Sequence, residues 1–324
     1  MRSSVRDMES GGGNGDFWRL PEECVSYAIG LTSPRDACRS EMVSSSLRAV
    51  AASDAVWEKF LPSDYLDILS RAVDAISFTS KKHLYFLLCD SIFIDGGKKR
   101  FALDRETGAK CFMLSARELL IVWGDTPAHW SWTHLPGLSR LQEVAKLLDV
   151  CWLEICGKID SRMLSKKTKY AAYLIFKISD DGSIGLDYPS HVSVKMGDHE
   201  VNLSTHLDHY HNIRARRSIG LRSRFRYNRF ARVYQQPMLL EAGQWTRHEP
   251  SVVDEPQQAQ EHVAQENKFS QARKRHDGWM EVFMGEFYIN EGDEGEVSMS
   301  LMETKGGHWK SGLIVQGIEI RPKK

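Results

Sequence analysis

Residues 20–60 carry apolar side chains at the three- and four-residue spacing of short amphipathic helices. Val25 and Ile29 share one stripe directly after Pro21, a residue that suits the first turn of a helix. The pattern stops at Pro62. Helices this short bury too little apolar surface to be stable alone, so they predict a module that a partner completes. Further helix starts, each a serine before a new apolar run, are predicted at Ser33, Ser44 and Ser53.

The next stretch continues in helical spacing and then gives way to a different pattern. Residues 63–94 are predicted to form a helical connector, which ends at the turn sequence Asp-Gly-Gly of residues 95–97. Beyond Arg100, short apolar runs are separated by Gly, Pro and Asp. Val297 and Met299 alternate with polar neighbours, as in a half-buried strand. Many short strands without long helices between them favour an antiparallel β-sandwich.

Two segments interrupt the predicted strands. The spacing of apolar residues from Leu138 to Leu148 predicts a helix. Residues 197–275 are predicted to be an irregular insertion, because they contain an Arg-rich stretch at 214–232 and a Gln/Glu-rich stretch at 257–265. The resulting division is a flexible Gly-rich tail at 1–16, a helical module at 17–62, a connector at 63–94 and a strand-rich domain at 95–324.

The charge of the chain is balanced, with 43 Lys and Arg residues against 43 Asp and Glu residues in 324. No overall field therefore attracts it to nucleic acid or to an anionic membrane. No apolar run approaches the roughly 20 residues that span a bilayer, and the N-terminal residues carry no secretion signal. Six dispersed cysteines without framework spacing indicate reduced thiols. We expect a protein of the cytoplasm and nucleus, with no membrane partner and no cofactor.

The helical module resembles a known protein family. The segments LPE at 20–22, SPRDA at 33–37 and VWEKFLP at 56–62 are similar to those of plant F-box proteins, in the variant joined to phloem lectins. This resemblance implies docking on a Skp-type adaptor, which bridges to a cullin in a ubiquitin ligase. Any one of the apolar side chains, Trp57 in particular, suits the core of the module equally well. The residues expected to contact the adaptor are Leu20, Pro21, Val25, Ile29, Pro34, Val43 and Trp57.

From about residue 95 onward the chain resembles the phloem protein two family, which includes a tobacco lectin. The matching segments include EVAKLLDVCWLEICGKID at 143–160, YAAYLIFK at 170–177 and GWMEVFMGEFYINEGDEGEV at 278–297. Together the two resemblances cover the chain apart from the tail and the predicted insertion. They imply a small helical F-box followed by an antiparallel, jelly-roll-like β-sandwich that acts as a lectin.

The resemblance also implies a glycan site. Carried over by motif, the tryptophans attributed to sugar binding fall on Trp123 and Trp130, and the carboxylates fall on Glu296 and Glu303. An indole covers the C–H face of a pyranose, while a carboxylate accepts hydrogen bonds from its hydroxyls. Trp132 shares the strand parity of Trp130 and joins the predicted set. The expected ligand is an N-acetylglucosamine oligomer or an N-glycan on a target protein.

The spacing of the two glutamates argues against catalysis. Glu303 follows Glu296 by an odd number of residues, so on one regular strand the two side chains point to opposite faces. A glycosidase needs two carboxyl groups about 5–10 Å apart across one cleft. We therefore expect a non-catalytic adaptor that raises the effective concentration of a target near a ubiquitin-charged enzyme.

Two other interpretations stay open on the sequence alone. The F-box adaptor could recognise a non-glycosylated protein epitope instead of a sugar. The arginines and aromatic residues of 214–232 could neutralise phosphates and stack on bases, although a solvated basic loop is the simpler interpretation. No metal site is predicted, because His206, His209 and His211 have loose ligand spacing and no cysteine beside them.

Overall fold

A computed structural model describes residues 20–135, 143–208 and 269–323 of the chain. The predicted N-terminal tail, the Arg-rich stretch at 214–232, the Gln/Glu-rich stretch at 257–265 and two of the three histidines, His209 and His211, lie outside these residues. Within the three described ranges, no helix is both long enough and apolar enough to cross a membrane.

Short helices occupy the first part of the described chain. At two of the predicted starts the serine caps its helix: Ser33 Oγ accepts a hydrogen bond from the backbone N–H of Asp36, and Ser44 does so from Leu47. Ser53 also precedes a helix, but its side chain makes no capping hydrogen bond. The helices are α1 (Glu22–Gly30), α2 (Pro34–Ser40), α3 (Ser45–Ala51), α4 (Asp54–Trp57), α5 (Tyr65–Ser70) and α6 (Lys81–Cys89).

Trp57 is the centre of the helical core. Its side chain is fully buried, and its indole N–H donates to the backbone carbonyl of Ala51 at 2.7 Å. The ring centroids of Tyr85 and Phe86, both on α6, lie 5.1 and 5.3 Å from that of Trp57. The Tyr85 hydroxyl then donates to the backbone carbonyl of Asp104 at 3.1 Å, directly after a strand. The helical core is therefore continuous with the core of the strands, and both belong to one hydrophobic cluster.

Strands make up most of the remaining described residues. The first of them begins inside the predicted helical connector, whose last three residues, Ile92–Ile94, are extended. The strands are β1 (Ile92–Ile94), β2 (Lys99–Leu103), β3 (Lys110–Ser115), β4 (Leu120–Ile121), β5 (Trp130–His134), β6 (Glu143–Leu147), β7 (Leu153–Asp160), β8 (Thr168–Ile178), β9 (Ser190–Met196), β10 (His199–His206), β11 (Phe269–Gln271), β12 (Arg273–Lys274), β13 (Met280–Ile289), β14 (Glu296–Glu303) and β15 (Leu313–Pro322).

The strands form two sheets. The first has the order β1-β2-β3-β15-β8-β13-β12, with β6 also paired to β15 and β5 paired to β6. The second has the order β11-β10-β9-β14-β7-β4. Neighbouring strands in the described residues run antiparallel, apart from β10 and β11. Val282 and Phe287 of the first sheet share one core with Val297 and Leu301 of the second. The predicted combination of N-terminal helices and a mostly antiparallel β-sheet region is confirmed.

The predicted helix from Leu138 to Leu148 is wrong where the structure describes it. Residues Glu143–Leu147 form β6, which pairs with β5 on one side and with β15 on the other. Val144 and Leu147 are buried on this strand in spite of their helical spacing. Pairing on both edges supplies the backbone hydrogen bonds, so tertiary contacts override the local periodicity.

The predicted irregular insertion is wrong at both of its ends. Gly197 lies in the turn of a hairpin in which β9 pairs along its whole length with β10. At the other end, β11 pairs with β10 and β12 pairs with β13. β11 and β12 are only three and two residues long, too short to show a periodic pattern, and β11 pairs with β10, which lies about 65 residues earlier in the sequence.

Candidate binding site

Four loops meet at one end of the fold, and we call this surface the loop end. They are residues 122–129, 148–152, 182–188 and 304–312. Backbone hydrogen bonds of 2.9–3.1 Å tie each loop to a neighbouring loop or strand. The donor and acceptor residues of these bonds are Val122 and Glu154, Leu148 and His129, Val150 and Lys310, and Ile184 and Ser311. Loops held to one another in this way present side chains as one surface.

Two of the predicted sugar-binding tryptophans face the protein. Trp130 is only 2% exposed, and its indole N–H donates to the backbone carbonyl of Val122 at 3.1 Å. The Trp132 indole N–H donates to the carbonyl of Gly124 at 2.8 Å. The Arg117 guanidinium lies 3.7 Å from the centroid of the Trp132 ring and covers that face. Both indoles therefore hold the loop at 122–124 in place; Trp130 leaves almost no ring surface for a ligand, and the partly buried Trp132 has one face covered by Arg117.

Trp123, the third predicted tryptophan, is displayed on that loop. Its side chain is 43% exposed, and its backbone has a φ of 57°, a conformation that is uncommon for a bulky residue. The Trp123 carbonyl accepts a hydrogen bond from the Thr126 N–H at 2.9 Å, which closes the turn. The ring of His129 lies 5.3 Å from that of Trp123, and a His129 ring nitrogen lies 2.8 Å from the Asp149 carbonyl. Trp123 is thus buttressed on one side and open on the other.

A second indole with its own carboxylate lies beside this loop. Trp152 is 45% exposed, and its indole N–H donates to Glu154 Oε2 at 2.9 Å. The backbone carbonyl of Glu154 accepts the hydrogen bond from Val122, so Trp152 and Glu154 adjoin the Trp123 loop. The sequence analysis missed both residues. The signal that could have found them is the period of two in Trp152, Glu154 and Cys156, which places Glu154 and Cys156 on one side of β7 and Trp152 directly before that strand.

The loop at 304–312 adds more exposed aromatic surface. The His308 ring stacks on the Tyr188 ring, with 3.9 Å between centroids and 8° between planes. Trp309 is about as exposed as Trp123 and Trp152. The sequence analysis did not single out these three residues, because the contact that joins Tyr188 to His308 spans more than a hundred residues of chain.

Glu303 lies beneath this loop. Its carboxylate forms an ion pair with Lys310, and the two side chains are 7% and 1% exposed. Glu303 Oε1 also accepts the backbone N–H of Gly306 at 3.0 Å. The Lys310 ammonium donates to the carbonyls of Cys151 and His308 at 2.8 and 2.7 Å. Burial lowers the pKa of Lys310. This ion pair positions the loop at 304–312 and leaves Glu303 no free face.

Glu296 lies far from Glu303. The two residues are the ends of β14, which pairs with β7 without interruption from Glu296 to Glu303. An extended strand rises about 3.3 Å per residue, which separates the two by roughly 23 Å. Glu296 is exposed and forms an ion pair with Lys158 at 2.7 Å. The structure therefore does not bring the two glutamates together, and the separation far exceeds that of a glycosidase pair.

The residues predicted to contact an adaptor divide into two groups. Leu20, Pro21 and Val43 are exposed on the helical module. The other four residues of the predicted set are buried within the chain itself. Three further apolar residues that the sequence analysis did not select are exposed beside the first group: Tyr27, Leu31 and Met42, the last at 85%. The buried members of the predicted set are Val25, Ile29, Pro34 and Trp57.

Comparisons with known proteins agree with this architecture. The family described as phloem protein 2 matches residues 109–322. The chain is 40% identical to "F-box protein PP2-B1" of Arabidopsis thaliana over 95% of this chain and 90% of that protein. It is 38% identical to "F-box protein VBF" of the same plant, over 94% of this chain and 99% of that protein. The chain therefore belongs to the phloem protein 2 family, among relatives that are named F-box proteins.

Proposed function

We propose that this chain is the target-recognition subunit of a Skp-cullin-F-box ubiquitin ligase, and that its loop end binds a glycan or glycoprotein. The helical module docks on a Skp-type adaptor, and the loop end holds the target. The chain performs no chemistry itself, and it acts by raising the local concentration of the target near a ubiquitin-charged enzyme. The names of the relatives support the first half of this proposal.

The exposed apolar residues of the helical module are the observation that carries adaptor docking. Tyr27, Leu31, Met42 and Val43 are between 60% and 85% exposed. Apolar side chains gathered on one small module mark a protein interaction surface. The buried residues Val25, Ile29, Pro34 and Trp57 contribute by keeping the helices in the arrangement that presents this surface.

Glycan recognition is supported by three indoles of the loop end. Trp123, Trp152 and Trp309 are 43–46% exposed on three adjoining loops. Glu154 lies beside Trp152 and can accept sugar hydroxyls, so the site combines flat apolar rings with a carboxylate. A protein epitope is the second candidate, since Ile184, which is 49% exposed, adds an aliphatic contact to the same surface.

We infer that the two sheets form a jelly-roll-like sandwich, supported by the core that residues of both sheets share. The protein works in the cytoplasm and nucleus, where its free cysteines stay reduced.

Adaptor docking is tested by titrating the purified chain with a purified Skp-type adaptor. Val43→Glu places a charge in the exposed patch, and we expect the dissociation constant to rise at least tenfold, about 1.4 kcal/mol. Leu66→Glu is the matched control, since Leu66 on α5 is 66% exposed and Val43 is 68% exposed. Equal adaptor affinity for the two variants would contradict the assigned surface.

Glycan recognition is tested on a glycan array and on an immobilised N-acetylglucosamine oligomer. We expect Trp123→Ala and Trp152→Ala each to weaken retention at least tenfold, with unchanged adaptor affinity. Tyr288→Ala is the control, because Tyr288 on β13 is a comparably exposed aromatic, at 48%, outside the loop end. Retention of both tryptophan variants at the level of the unmodified chain would remove the loop end as a sugar site. Trp130→Ala is unsuited to this test, because the ring is buried.

A further inference from the structure

A cavity of about 130 Å³ opens on the face of the first sheet that carries Arg100, Met113 and Glu319. These three residues are direct cross-strand neighbours on β2, β3 and β15. Arg275 and Asp277, which follow β12, also line the cavity. An engineered protein cavity of about 150 Å³ holds one benzene molecule, so this slightly smaller cavity takes at most one six-membered ring, with part of a substituted ring left outside its open side. It lies on different strands and loops from the loop end.

Gln316 turns into this cavity because of a β-bulge. The pairing of β15 with β8 shifts register between Val315 and Gly317, which leaves Gln316 without a partner residue on β8. A bulge re-aims the side chain of its extra residue. Gly317 is required beside it: its φ is 157°, and an added Cβ would lie 1.9 Å from the Leu114 carbonyl oxygen.

The Gln316 side chain has no hydrogen-bond partner in the part of the chain that the structure describes, although it lines the cavity and is only 6% exposed. Its amide offers two N–H donors and one carbonyl acceptor, and these atoms face the open cavity instead of being sealed inside the protein. Water or a bound ligand can therefore pair with them, and a ligand that does so gains hydrogen bonds that the described residues leave available.

Arg100 presents further hydrogen-bond donors to the same cavity. Its Nη2 donates to Ser91 Oγ at 2.7 Å, and it forms no ion pair within the described ranges. Burial lowers the pKa of its guanidinium. A guanidinium carries five N–H donors, so Arg100 has further donors to offer to an oxygen acceptor in the cavity that it lines.

The neighbouring charges decide against an anionic ligand. Arg275 and Arg321 are already shared among three carboxylates, with ion-pair contacts to Glu281, Glu319 and, for Arg275, Asp277. With Arg100 added, three cations balance three anions. Asp277 and Glu319 themselves line the cavity and would repel a second anion there.

We propose that this cavity binds a small neutral carboxamide on a six-membered ring. The carbonyl oxygen of the ligand accepts from Arg100, and its amide pairs with the Gln316 amide through a donor and an acceptor on each side. Ala102, Met113 and Ile175 contact the ring. The site is independent of the glycan proposal, because it shares no residue with the loop end.

Benzamide is the probe, and benzoate is its matched anion. Saturation-transfer NMR on the full chain should show binding of benzamide, with benzoate bound at least tenfold more weakly. Gln316→Met keeps the length of the side chain and removes the amide, and it should abolish the benzamide signal. Because Gln316 makes no side-chain hydrogen bond within residues 20–135, 143–208 and 269–323, the thermal midpoint of this variant should stay equal or rise. Trp123→Ala, outside the cavity, should bind benzamide normally.

Each alternative result overturns the proposal. Benzoate binding as strongly as benzamide would make the cavity an anion site. Absence of saturation transfer from benzamide to the unmodified chain would show that the cavity does not take a neutral amide. A lower thermal midpoint of Gln316→Met would show that the amide has a structural partner, and unchanged benzamide binding by that variant would remove Gln316 from the site.

Discussion

Lys310→Met is the substitution that tests most directly how the loop end is held together. Methionine keeps most of the apolar stem of the buried side chain, so little volume is lost. It removes the ion pair with Glu303 and the two hydrogen bonds to the carbonyls of Cys151 and His308. The Glu303 carboxylate then stays buried, with the Gly306 N–H as its remaining bond.

The expected cost follows from burial. Removing one partner of a buried ion pair destabilises a protein by about 3–5 kcal/mol, because it leaves an uncompensated charge. The side chains of Lys310 and Glu303 are only 1% and 7% exposed, so solvent screens this pair little. The free energy of unfolding is measured by urea titration followed through tryptophan fluorescence. Retention on the immobilised glycan should fall in parallel, because the loop carrying Trp309 loses its anchor.

A double-mutant cycle separates the interaction free energy of the Lys310–Glu303 ion pair from the other effects of each substitution. Glu303→Gln keeps the acceptor for Gly306 and removes the charge, and Lys310→Met combined with Glu303→Gln leaves no buried charge at this position. We expect the double variant to be more stable than the sum of the two single losses predicts, by about 1–3 kcal/mol. Strictly additive losses, or a loss below about 1 kcal/mol for Lys310→Met alone, would refute the reasoning.

Three further predictions concern the folding of the chain. Arg71 donates two hydrogen bonds of 2.9 Å to Asp95 and holds the pKa of that carboxyl below its usual value. Asp95→Asn should therefore cost about 1–3 kcal/mol in urea titrations at pH 7. The difference should shrink as the pH falls below about 4 and vanish below the folded pKa of Asp95, because stability from a lowered carboxyl pKa is present above the unfolded pKa and is lost as the pH falls through the folded one. Trp57→Ala should cost about 3–5 kcal/mol by the same titration, whereas a Trp57 that acts only at the adaptor surface would cost almost nothing. Gly312→Ala should cost more than about 1 kcal/mol, because its φ is 84° and an added Cβ would lie 2.2 Å from the Gly182 carbonyl oxygen; a neutral result would show that the loop can move aside.

The helices show how well short-range signals predict structure. Ser33 and Ser44 cap helices as expected, because a cap joins residues only three apart in the chain. The alternation of Val297 and Met299 likewise predicted which side of β14 is buried. The helix predicted from Leu138 failed because β6 receives its hydrogen bonds from β5 and β15, and the latter lies about 170 residues away in the sequence.

The sequence predicted the types of residue in the candidate site, which are indoles and carboxylates. It identified only some of the residues themselves. Among the three predicted tryptophans, two selected by the family resemblance and Trp132 added by strand parity, Trp123 is the most exposed. The indole N–H groups of Trp130 and Trp132 donate to backbone carbonyls of the loop that carries Trp123. The exposure of an indole depends on which backbone carbonyl its N–H contacts. A single sequence does not show which residues lie close enough in space to make that contact.

The sequence by itself determined the membership of the family, the short capped helices and the alternation that gives strands a buried side. These features depend on neighbours within a few residues, which the order of amino acids states directly. Only the tertiary structure decided that Glu303 lies buried against Lys310 and that Trp152 and Glu154 adjoin Trp123. It also decided that a β-bulge points the side-chain amide of Gln316 toward a cavity. The physical reason is that such features arise where distant segments meet, and the meeting is set by sheet pairing across the whole chain.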